Sequence, residues 1–134
     1  MALLAPAEGE MQMLENMLRV NATPEVLNLK LYTNNYDAVN GSTAANFTEC
    51  AISGYAAKAL TRGGWNAATS GNPSYMQYSA GQVFNFTGTG AVVGYYLVGN
   101  TSGKVYWAER LYATTGQTFN NGDSLTITPK VTLT

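Results

Sequence analysis

Histidine is absent from the 134 residues, and cysteine occurs once, at Cys50. Without an imidazole, the common serine triads and histidine metal sites are excluded, and a Cys50 nucleophile has no usual partner base. A single cysteine cannot close a disulfide within the chain. Inside the run Phe47–Ser53 it reads as a small buried hydrophobe. Charge is scarce too: charged residues make up 11% of the chain, against about a quarter in ordinary soluble domains. The 7 lysines and arginines are scattered singly and the net charge is −1. No basic stripe is available to neutralise phosphates, so nucleic acid is not an expected partner. The apolar runs fall far short of a bilayer span, so no membrane is expected either. Met1–Ala7 is apolar but lacks the positive start and the length of a secretory signal.

What remains is ordinary hydrophobic content, 46%, set among Thr, Asn, Ser and 14 glycines. That mixture suits many short strands and turns better than helices, and the length suits one domain with one core. Five Asn-x-Ser/Thr triplets, starting at Asn21, Asn40, Asn46, Asn85 and Asn100, read as turn chemistry in so Asn-rich a chain.

The first segment is the exception. Over Glu8–Val20, Met11, Leu14 and Leu18 recur at helical spacing, and Met13 and Met17 widen the stripe. Glu8 and Glu10 open this helix and Arg19 closes it, as the helix dipole favours. Two readings of the stripe stand: packing on the chain's own β-domain, or an arm that docks on a neighbouring subunit. The organisation is therefore an N-terminal arm and helix, 1–22, followed by a β-domain, 23–134.

After Thr23-Pro24 the period becomes two. Leu27, Leu29 and Leu31 face one way and Asn28, Lys30 and Tyr32 the other, a half-buried strand. Residues 33–46 read as a long polar loop, Ala51–Leu60 as a strand bent at Gly54, and Tyr75–Tyr78 and Val83–Phe86 as short strands. Two longer runs, 90–98 and 104–112, flank the glycine-bounded connection Gly99–Gly103 and predict a hairpin. Leu125–Thr128 adds another strand, ended or placed at an edge by Pro129. The expected fold is mainly β: a jelly-roll-like antiparallel β-sandwich of about eight strands with one short N-terminal α-helix.

The hairpin's first run poses the sharpest question. Val93, Tyr95 and Leu97 make one apolar face, and Val92, Tyr96 and Val98 another. A strand with a wet face should alternate. Both faces therefore need a cover, and the Met-rich helix or a neighbouring chain is expected to supply the second. Candidate subunit-interface residues are Met11, Leu14, Met17 and Leu18 on the helix, with Tyr95, Tyr96, Tyr106 and Trp107 in the hairpin.

Chemistry finds little support. Glu49 and Glu109 are the best carboxylates for glycoside hydrolysis, but such groups more often pair across strands. Glu109 and its neighbour Arg110 point to opposite faces and cannot bridge. Asp37 and Asp123 lack the ligand spacing of a calcium loop. No catalytic residue, metal site or cofactor is expected. The nine tyrosines and two tryptophans suit core packing, subunit contact or a glycan platform.

Several spaced patterns resemble small virion structural proteins of tailed phages. They are Leu27–Asn35, Phe47-Thr48-Glu49, Gly54-Tyr55, Leu60-Thr61-Arg62 with Trp65, Gly94-Tyr95-Tyr96, Trp107–Arg110, and Gly122-Asp123 running to Pro129. Within that group the size and β content are most similar to jelly-roll capsid cement (decoration) proteins. The resemblance covers most of 25–133. It implies a protein on the capsid exterior that clamps neighbouring major capsid proteins as a homo-oligomer, trimer or dimer. The alternative is a tail-fibre or baseplate module that recognises a host glycan.

Overall fold

The computed structural model describes residues 3–19 and 24–133, so Val20 and the triplet at Asn21 lie outside the described residues. Within them the chain is mainly β: one α-helix, ten strands in antiparallel sheets, and two short 3-10 turns at Ala44–Asn46 and Arg62–Gly64.

Helix α1 spans Ala7–Leu18; its first amide, that of Ala7, donates to the Asn40 carbonyl, and the amides of Gly9 and Glu10 donate to the carbonyl of Pro6. The strands are β1 Leu27–Tyr32, β2 Lys58–Leu60, β3 Ser74–Gln77, β4 Gln82–Asn85, β5 Gly90–Val92, β6 Gly94–Gly99, β7 Val105–Arg110, β8 Gln117–Phe119, β9 Ser124–Ile127 and β10 Lys130–Leu133. The largest sheet has the order β2-β1-β6-β7. β1 alternates as its leucines require: Leu27, Leu29 and Leu31 are buried, and Asn28 and Lys30 are half-exposed.

The other pairs form a nested series around the β6–β7 hairpin. β5 pairs with β8, β4 with β9 and β3 with β10, so residues 74–133 run out and back along themselves. Isolated backbone hydrogen bonds carry the ladder across the breaks. Leu111 and Tyr112 donate to Val93, Phe86 donates to Asp123, and Tyr78 donates to Pro129 at 2.9 Å. Pro129 thus marks an interruption after which pairing resumes, because proline removes one donor without barring its carbonyl.

Three expectations need correction. Ala51–Leu60 is strand only at Lys58–Leu60. Its apolar anchors, Ile52 and Tyr55, stand three apart and close a turn over Gly54, whose φ is +89°. The run 90–98 divides at Val93 into β5 and β6, which pair with different strands. Finally, ten strands replace the expected eight, because β8 and β10 are three or four residues long and too short to show a period.

Side chains of β1 and β6 (Leu29, Leu31, Tyr95, Leu97) share the main core with Phe84, Phe86, Phe119, Ile127 and Val131 from the paired series. The opposite face of β6 has its own cluster. Tyr96, Val98 and Val105 lie under Tyr32, Phe47, Tyr36 and Ala44. The cover is therefore the chain's own segment 33–47, not the helix or a neighbour as expected. Phe47 stacks on Tyr96 with ring centroids 4.7 Å apart, and its ring meets Tyr32 and Tyr36 edge-on. Arg110 staples the same segment: its guanidinium donates to Asp37 and Asn35, each at 2.6 Å. Residues 33–46 are polar by majority, and the seal comes from the one aromatic residue among them, Tyr36, and from Phe47 immediately after.

Candidate functional site

Helix α1 lies against β7, and its orientation is set by its smallest residue. A Cβ on Gly9 would collide with the Val105 carbonyl and the Tyr106 backbone, so only glycine allows the helix this close. Next to it, the Glu8 carboxylate accepts the Val105 amide at 2.8 Å and lies 3.7 Å from the Lys104 ammonium. Residues four and three positions further on, Met13 and Asn16, complete the inward line. Met13 packs on the main core and Asn16 donates to the Tyr106 hydroxyl at 3.1 Å.

That orientation turns the apolar stripe outward. Met11 is 62% exposed, Leu14 54%, Met17 73% and Leu18 72%. All four helix residues expected at an interface therefore lie on the surface. Of the four hairpin residues, Tyr95 and Tyr96 are buried inside the chain at 4% and 3% exposure, leaving neither ring on the surface. Tyr106 is buried with its hydroxyl hydrogen-bonded, and Trp107 is half-buried.

Beside the inward line of α1 opens a groove of about 450 Å³. Its walls come from α1, the start of β1, the turn at 62–65, β3, β7 and β10. Trp65, Tyr75, Tyr106 and Trp107 supply aromatic lining, and Met13, Met76 and Leu133 supply aliphatic rim. Both tryptophans of the chain are in it. Of these residues, Tyr106 and Trp107 were among the interface candidates, and Trp65, Arg62, Met13 and Leu133 were not. These come from separate elements, and no local pattern joins them.

The polar groups of the groove are unequal. Glu25 is saturated: it accepts the Thr101 amide at 2.7 Å, the Ser102 amide at 2.8 Å, the Ser102 hydroxyl at 2.5 Å and the Tyr106 hydroxyl at 2.9 Å. Burial opposes its ionisation, but the bonds from Ser102, Thr101 and Tyr106 outweigh it and hold the carboxyl below the usual range. Burial, helped by the hydrogen bond to Glu25, pushes the Tyr106 hydroxyl up to about 12, so it stays a donor. A side chain at Gly99 would meet the Glu25 carboxylate and the Ser102 hydroxyl, so it would have to displace this hydrogen-bonded cluster. Arg62 is different. It is exposed and lines the groove, and among the described residues no carboxylate stands within ion-pair distance of it. The Lys130 ammonium sits 4.1 Å from the centroid of the Tyr75 ring, another cation beside the same wall.

The carboxylates considered for catalysis have separate structural partners. Glu49 accepts from Lys30 at 3.1 Å and from the Tyr55 hydroxyl at 3.0 Å, and Glu109 accepts from Tyr95 at 2.7 Å. Cys50 is buried, and burial raises its thiol pKa, so the thiol stays protonated. Among the described residues no group of His, Cys, Asp and Glu is placed to hold a metal ion, and no helix is long and apolar enough to cross a membrane. No protein-family model matches the chain, and no curated protein sequence matches it.

Proposed function

We propose that this chain is a structural protein of a tailed-phage virion, a cement protein on the capsid exterior that bridges neighbouring major capsid proteins. On this reading the nested pairing β3–β10, β4–β9, β5–β8, β6–β7 is the wiring of a jelly roll folded over β1 and β2. The phage setting rests on the resemblance of 25–133. The assembly role rests on one observation, the outward apolar stripe of α1. Monomeric proteins rarely leave four large apolar side chains together on one helix face unless a partner covers them. The chain works as a homo-oligomer, dimer or trimer, with α1 as a contact element.

The test compares shells with and without the protein. Shells that carry it should break at higher temperature, and Leu14→Asp should abolish its binding to them. Equal stability of the two kinds of shell overturns the reading. The four aromatic residues of the groove favour a second reading, a tail-fibre or baseplate module that binds a host glycan. Against it stands the commitment of Glu25 and Asn16 to other residues of the chain, which leaves few polar groups for sugar hydroxyls. Copy number separates the two: hundreds per particle mean shell, and a few dozen mean tail.

A further inference from the structure

We propose that the groove beside α1 receives an extended segment of a partner protein that presents apolar side chains next to an acidic one. The partner is the coat-protein neighbour of the reading above, and the inference depends on that reading for the partner's identity only. The groove's volume and mostly apolar walls fit one or two aliphatic side chains.

Charge selects the rest. The one carboxylate in the lining, Glu25, already accepts four hydrogen bonds, so it has no acceptor position free for a ligand's ammonium to bond directly. The guanidinium of Arg62 has no carboxylate partner among the described residues, and the Lys130 ammonium lies over the ring of Tyr75, another residue of the lining. A carboxylate beside Arg62 gains a charge-assisted, bidentate-capable donor, while an ammonium there faces the guanidinium and finds no free acceptor on Glu25. Sugar hydroxyls would find Glu25 and Asn16 already committed to other residues of the chain, and for this reason a protein segment is favoured over a glycan.

Both tryptophans line the groove, so their emission reports its occupancy directly. The probes are two blocked pentapeptides free of tryptophan, Gly-Leu-Asp-Leu-Gly and Gly-Leu-Lys-Leu-Gly, titrated into the full chain. The acidic peptide should shift the emission and bind about tenfold more tightly than the lysine peptide, the size of one charge-assisted contact. Arg62→Glu, at an exposed position where folding is not at stake, should reverse that preference. Leu133→Ser, also exposed, should weaken both peptides. Equal affinity for the two peptides, no response to either, or a preference that survives Arg62→Glu overturns the assignment. A response to lactose with none to the peptides overturns it in favour of a glycan. If the peptide preference holds but shells do not bind the chain, the capsid reading falls and the groove assignment stands. If shells bind the chain and Arg62→Glu changes neither peptide preference nor shell affinity, the groove assignment falls alone.

Discussion

Strand β6 and helix α1 are both rich in large apolar side chains, and their surroundings are opposite. Every residue of β6 is buried, whereas α1 buries only Gly9 and leaves Met11, Leu14, Met17 and Leu18 more than half exposed. β6 sits between two cores, one shared with the paired series and one capped by Phe47 and its neighbours. Helix α1 is held instead by a close backbone approach at Gly9, by the Glu8 carboxylate and by the Asn16–Tyr106–Glu25 chain of hydrogen bonds. Apolar content alone therefore does not mark the core. The polar and small residues of the helix chose its inner face and left its hydrophobic face exposed.

The strongest way to break this comparison is to remove the cover of β6. Phe47→Ala should destabilise the isolated chain by about 3–5 kcal/mol, read from denaturant midpoints. A loss below about 0.5 kcal/mol, the usual range for surface positions, would mean that segment 33–47 is not the cover. Next in size is the helix seat. Gly9→Ala should cost about 1–3 kcal/mol as an overpacked contact, and amide exchange in α1 should accelerate. Unchanged exchange would show that the close approach is not required.

The Glu25 network gives a smaller, pH-dependent effect. Its folded pKa lies below the unfolded value, so its stabilisation is present at neutral pH and is lost as pH falls from the ordinary carboxylate range through the folded value. Glu25→Gln should therefore unfold more easily than the parent at pH 7, and the difference should shrink in acid. A gap that stays constant with pH would mean that shape, not charge, holds the hairpin turn. The smallest effect belongs to the outer stripe. Met17→Ser should change the isolated chain's stability by less than about 0.5 kcal/mol. A loss of 2 kcal/mol or more, on the order of a core truncation, would place Met17 in the core and erase the contrast with β6.

Much of the fold was legible because it rests on short-range periods. The alternation of Leu27, Leu29 and Leu31 against Asn28 and Lys30 marks β1, and glycines at 99 and 103 mark the hairpin. The helix was found almost to its ends. The division at Val93 was not legible, because a chain that passes from one partner strand to another keeps the same apolar pattern on both sides. Of the candidate site, Tyr106 and Trp107 were visible as aromatic residues in a strand. Arg62, Trp65 and Leu133 were not visible as members of it, since what makes them a site is a shared groove and not a spacing.

Alternation, turn glycines and helical spacing act over a few residues, and they were enough to specify a mainly β chain with an amphipathic helix in front. Which apolar faces are covered was set by long-range packing. Burial depends on what arrives from elsewhere in the chain. A polar loop brought Phe47 onto Tyr96, while Gly9 and Asn16 took the seat on β7 and left the Met-rich face of α1 open.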